Sequence, residues 1–170
     1  MSKTGKRVLS FILITALSFC ICLNSACAVT AEFKTTQQFL DFLDAKGYKY
    51  SYVGVDEKAE RVNVSFSLDN FTSVECAIFF KNDLEEVSLR VWNIITASAG
   101  KNYVLSTLNT LNKEYKFSKF VFDDSDSTVQ AELDMYIDPD HCDRSVYDAM
   151  MILIKIIDND EIAKTLHSLE

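Results

Sequence analysis

The run Arg61–Asp69, RVNVSFSLD, alternates without interruption: Val62, Val64, Phe66 and Leu68 point one way, and Asn63, Ser65 and Ser67 the other. A side-chain period of two requires an extended strand, and one apolar face against one polar face is the pattern of an antiparallel sheet half in contact with water. The pattern returns at 86–94, where Val87, Leu89 and Val91 alternate with Ser88 and Arg90. It returns again at 128–137, where Val129, Ala131, Leu133, Met135 and Ile137 oppose Gln130, Glu132 and Asp134. Three further runs, 50–56, 73–80 and 116–123, precede or follow these across short polar connections of hairpin length. Six strands in three hairpins are therefore expected.

Helical spacing occupies the intervals. Phe39, Leu40, Phe42 and Leu43 share one face of a helix over roughly 34–46, which Gly47 is placed to terminate in a left-handed cap. Val104, Leu105, Leu108 and Leu111 mark a second helix over 98–113. Val146, Met150, Leu153, Ile154 and Ile157 mark a third, with Asp138 as expected N-cap and Pro139 in its first turn. Asp158-Asn159-Asp160 is expected to break that helix before a final turn near Leu169, leaving His167 in a frayed tail. The order α-β-β-β-β-α-β-β-α gives an α+β fold: an antiparallel sheet of five to six strands with helices packed on one face.

The first 31 residues read differently. Lys3, Lys6 and Arg7 precede an uncharged run from Val8 to Leu23, and Ala26-Cys27-Ala28 and Val29-Thr30-Ala31 have the small-x-small form of a cleavage site. Residues 1–31 are read as a signal peptide or membrane-anchor leader, and 32–170 as one domain, extracytoplasmic in either case. Asn24-Ser25-Ala26 before Cys27 leaves lipidation at Cys27 as an alternative to plain cleavage. Without the leader's three cations, the 17 basic residues become 14 against 25 acidic ones, a net charge of −11. Such a body repels phosphates and anionic headgroups, so no nucleic acid is expected as partner and no membrane contact except through the leader. Cys76 and Cys142 are the body's two thiols, and spacing alone decides neither for nor against a disulfide.

No catalytic, metal or cofactor constellation stands out. Four scattered glycines cannot build a phosphate loop. Asp123-Asp124-Ser125-Asp126 lacks the Gly and the twelfth-position Glu of a calcium loop and suits a hairpin turn. Asp138, Asp140, His141 and Asp143 could converge on a cation in a hydrolytic enzyme. They also fit a helix cap, with Arg144 placed to pair with Asp140. Trp92 is out of phase with Leu89 and Val91, and Phe120 and Phe122 with Phe117 and Val121. These three aromatics are therefore candidates for a partner-binding patch on the second face of the sheet.

Leu108-Asn109-Thr110-Leu111-Asn112-Lys113-Glu114-Tyr115-Lys116-Phe117, a helix end with two Asn three apart leading into a strand, resembles the YbjN family, as do the following hairpin and apolar helix. That family is described as bacterial sensory-transduction regulators with a fold like the type III secretion chaperones. The resemblance spans roughly residues 34–158 and implies binding of a protein or peptide, a homodimer, no enzyme activity and no cofactor. Asn112 is expected to cap the helix end and Asn109 to bond a strand backbone. Secretion chaperones work in the cytosol, so the leader argues against carrying that role over. The expected function is an exported, non-enzymatic binding module. The alternatives are the hydrolytic or metal-dependent enzyme and a lipid-anchored structural protein of the envelope.

Overall fold

The computed structural model describes residues 29–56, 59–81 and 85–170. The expected leader, with Cys20, Cys22 and Cys27, lies outside the described residues except for positions 29–31. No helix among the described residues is long and apolar enough to cross a membrane.

The alternating runs form a six-stranded, wholly antiparallel sheet. Its strands are β1 (Tyr50–Asp56), β2 (Ala59–Phe66), β3 (Val74–Lys81), β4 (Glu86–Thr96), β5 (Lys119–Asp123) and β6 (Thr128–Tyr136). In space they run β1-β2-β3-β4-β6-β5, so the last strand in the chain lies inside the sheet and β5 takes the edge. Among the described residues, four helices complete the α+β fold: α1 (Lys34–Lys46), α2 (Lys101–Glu114), α3 (Cys142–Ile157) and α4 (Asp160–His167).

Cross-strand register fixes the two faces. Val62 pairs with Ile78, Ile78 with Leu89 and Leu89 with Leu133, so one row of apolar side chains crosses four strands on one side. All four are buried. Partners directly opposite share a face, which is why the alternation in each strand adds to its neighbour's. Phe39 of α1 meets Phe80 of β3 over this inner face, ring centroids 5.5 Å apart, and α3 packs beside α1. Gly47 closes α1 as expected, in the left-handed conformation at φ 74°, with the Tyr48 N–H donating to the Leu43 carbonyl.

The third helix starts later than expected. Asp138 accepts from the Asp140 N–H at 3.0 Å and so builds a turn; α3 begins at Cys142. The C-terminus is also firmer than a frayed tail. Asn159 caps α4 by accepting from the Glu161 and Ile162 N–H groups, Leu166 and Leu169 are buried, and the Leu169 carbonyl accepts from Ser98 and Ala99. Cys76 and Cys142 are free, buried thiols, and burial pushes them up to about 12 and about 11 respectively. Cys142 instead donates to the Gln38 Oε1 at 3.0 Å, tying the start of α3 to α1.

His167 is clasped rather than loose. Its ring stacks on Phe71 at 4.9 Å, its Nδ1 lies 2.7 Å from a Glu170 carboxylate oxygen, and its Nε2 lies 3.1 Å from the Asn70 carbonyl. Both partners are acceptors, so the doubly protonated ring satisfies both. The Glu170 bond first, then the Asn70 carbonyl, raises the imidazole above 6.5. The clasp therefore stabilises the fold below the unfolded-state pKa and weakens as pH rises through the folded one. An NMR titration of the His167 ring protons should give a midpoint above 6.5 that falls in Glu170→Gln. A midpoint at or below 6.5 in the unaltered protein overturns the clasp.

Candidate functional site

The open face of the sheet and the groove beside its β5 edge differ in chemistry. On the open face, Trp92 stands at an irregularity in β4 where Asn93 adopts φ 52°. Trp92 is 37% exposed, as the phase of β4 leads one to expect. Phe79 meets it edge-on at 5.8 Å, and the Arg61 guanidinium lies over the indole at 4.9 Å. Arg61 also bonds Asn63 and pairs with Glu75, while Arg90 pairs with Glu132 and Asp134. These side chains satisfy one another across the strands, so the open face is a self-paired polar lattice with one aromatic island.

Phe120 and Phe122 are not part of that island. Phe120 pairs with Ala131 and Phe122 with Val129, both inner-face positions, and Phe120 is 2% exposed in the core. The three aromatics therefore fall on opposite sides of the sheet. The expected phase rests on Phe117 and Val121: Phe117 precedes β5 and belongs to no ladder, and Val121 lies opposite Gln130 on the open face.

Asn112 has a defined job. Its Nδ2 donates to the Phe120 carbonyl at 2.9 Å, and its Oδ1 accepts from the Phe120 N–H at 2.7 Å. One amide thus takes the place of a neighbouring strand for an edge residue and fixes β5 against α2. Asn112 makes the strand-backbone bond expected of Asn109, whereas Asn109 is exposed.

The acidic cluster does not converge. Asp138 holds its own turn and His141, Asp140 lies 3.8 Å from Lys34, and Arg144 pairs with Asp148 instead of Asp140. The Asp140 N–H and then His141 hold the Asp138 carboxyl below the usual range. Among the described residues no group of three or more His, Cys, Asp or Glu side chains is placed to hold a metal ion. In the β5–β6 turn, Asp123 accepts from Ser125 and Asp126 from Thr128, and Asp124 pairs with Lys101.

Glu60 is the buried carboxylate that sequence reading missed. It lies on the inner face opposite Phe80 and is fully buried. It accepts from the Glu32 N–H at 2.6 Å, the Phe33 N–H at 3.0 Å and the Tyr52 hydroxyl at 2.5 Å. Burial by itself would raise its pKa. The adjacent Thr36 and Tyr52 hydroxyls and the two backbone N–H groups outweigh that and hold it below 4.5. Burial, and then the same bond, push the Tyr52 phenol up to about 12. The signal was a single one: in the strand 59–66, an acid stands two residues before Val62, in phase with the buried side chains.

The groove lies between α3 and the end of β6. Leu133 and Met135 form its floor, Ala149 and Ile152 one wall, and Phe117 the other, enclosing about 260 Å³. Phe117 is 80% and Ile152 48% exposed, so two large apolar side chains stand in water at its mouth. Its lining comes from three segments far apart in sequence, so no local pattern announces it.

No family model matches the chain, and no curated protein matches it. Among solved structures it is similar to a chain in the crystal structure of the ExsC–ExsE complex. The two share 15% identity with a TM-score of 0.48, over 74% of this chain and 91% of that one.

Proposed function

We propose that this protein is an exported, non-enzymatic binding module of the YbjN type that takes a protein or peptide partner in the groove between α3 and β6. The observation that carries the reading is the exposure of Phe117 and Ile152 around an apolar floor. Apolar side chains grouped at a concave site lose water favourably when a partner covers them, at about 25 cal/mol per Å² of apolar area. Arg61 with Glu75 and Arg90 with Glu132 and Asp134 already pair on the open face, and near α3 Asp138 holds a turn while Asp140 and Asp148 face Lys34 and Arg144. Export rests on the leader sequence, and a regulatory role on the YbjN resemblance.

A photo-crosslinking side chain placed at Ile152 in the native host is expected to give a discrete adduct in the extracytoplasmic fraction, and one placed at Trp92 none. Equal labelling at both positions, or an adduct confined to the cytosol, overturns the proposal.

A further inference from the structure

Among the described residues, Glu60 is a buried charge with no counter-charge. Its carboxylate is fully buried, and no ion pair between described side chains includes it. The two main-chain N–H groups and the Tyr52 hydroxyl that hold it are all neutral donors. Taking a carboxylate out of water is costly, and acids this deeply buried are ordinarily paired with a cation. The atom best placed to pair with it is the Glu32 nitrogen, 2.6 Å from Oε1. In the uncut chain that nitrogen is a neutral amide. It also belongs to the residue that directly follows Val29-Thr30-Ala31, one of the two small-x-small sites in the sequence.

We infer that the Ala31–Glu32 bond is the processing site, and that the Glu32 α-ammonium released there forms an ion pair with Glu60. The inference rests on the proposed export, since an endopeptidase of the export machinery is the catalyst it requires. Water adds its oxygen to the Ala31 carbonyl carbon as the C–N bond breaks. Ala31 departs as a carboxylate on the expected leader, and both water hydrogens end on the Glu32 nitrogen, which becomes an ammonium. A cut after Ala28, at the other site, leaves that nitrogen an amide and Glu60 without a counter-charge. The cut after Ala31 forfeits one part-buried bond between neutral groups, from the Ala31 N–H to Gln37 Oε1 at 2.9 Å. In exchange, the Glu32–Glu60 contact changes from a neutral donor on a carboxylate to a cation on a carboxylate, the stronger interaction of the two. Removing the leader would thus complete the anchorage of α1 to β2.

N-terminal sequencing and intact mass of the protein from the extracytoplasmic fraction of the native host should give a chain beginning at Glu32. A chain beginning at Val29, or at an acylated Cys27, overturns the site and leaves export standing. An intact leader on cytosolic protein overturns export and this inference together. The ion pair is read on the processed protein by NMR titration of the α-amine, whose midpoint should lie about one pH unit or more above the ~8 of an ordinary chain terminus. A raised amine adds stability that is whole below its unfolded value and is lost as pH rises through the folded one. The charged groups around it are the Glu60 and Glu32 carboxylates, while Tyr52, which shares Oε1, stays protonated up to about 12. Glu60→Gln should return the midpoint to about 8. Ala31→Leu, too large for the position before the cut, should divert processing to Ala28 and give a chain whose melting temperature no longer falls between about pH 8 and pH 10. A Glu32 terminus with an ordinary midpoint, or an equal alkaline loss in the Ala31→Leu product, overturns the ion pair.

Discussion

Replacing Phe120 by alanine is expected to destabilise the fold by about 3–5 kcal/mol, the usual range for deleting a core phenylalanine. The ring is buried on the inner face opposite Ala131, a small neighbour that cannot expand into the void, and Asn112 holds the backbone beneath it in place. Trp92→Ala should be much milder, about 1–2 kcal/mol, because it forfeits one aromatic pair and one cation–π contact at a partly exposed site. Chemical denaturation of both variants checks the contrast. Similar losses, or a larger one for Trp92, would show that Phe120 does not sit in the core.

Glu60→Ala is the second large effect, about 3 kcal/mol or more. The substitution strands the Glu32 and Phe33 N–H groups and the Tyr52 hydroxyl where the fully buried Glu60 carboxylate had satisfied them. Gln in its place is no remedy, since its amide nitrogen would face one of the donors. The sign with pH follows from the lowered carboxyl. Its contribution is complete above the unfolded value near 4.5 and is lost as pH falls through the lower folded value. The unaltered protein should therefore lose stability on acidification more steeply than Glu60→Ala does. Parallel pH profiles for the two would refute the latch. Hydrogen exchange at Glu32 and Phe33 of the uncut chain, whose N–H groups Glu60 holds, should accelerate in the variant.

The sheet was legible because its alternation is strict: the residues that set β2, β4 and β6 in sequence are those that meet in register, as the row Val62, Ile78, Leu89 and Leu133 records. Helix ends were less so. Asp138 and Pro139 suit both a helix start and a tight turn, and the carboxylate's bond to the Asp140 N–H decided for the turn. β5 was misphased because Phe117 and Val121 look like an inner row, although pairing begins only at Lys119 and Val121 falls opposite Gln130 on the open face. Glu60 and the groove depend on approach in space. The partners of Glu60 lie 27 and 28 residues away, or eight in the case of Tyr52, and the groove joins a loop, a strand and a helix. Periodicity reports the face a residue is on; it says nothing of which distant segment will meet it.

The placement of β6 between β4 and β5 governs how the polypeptide can come apart. A product severed near residue 100 would keep a four-stranded meander whose β4 flank is bare along its whole length and whose greasy side has lost α3. Such a remnant would stick to others of its kind sooner than survive alone. The first half alone is therefore no self-sufficient unit.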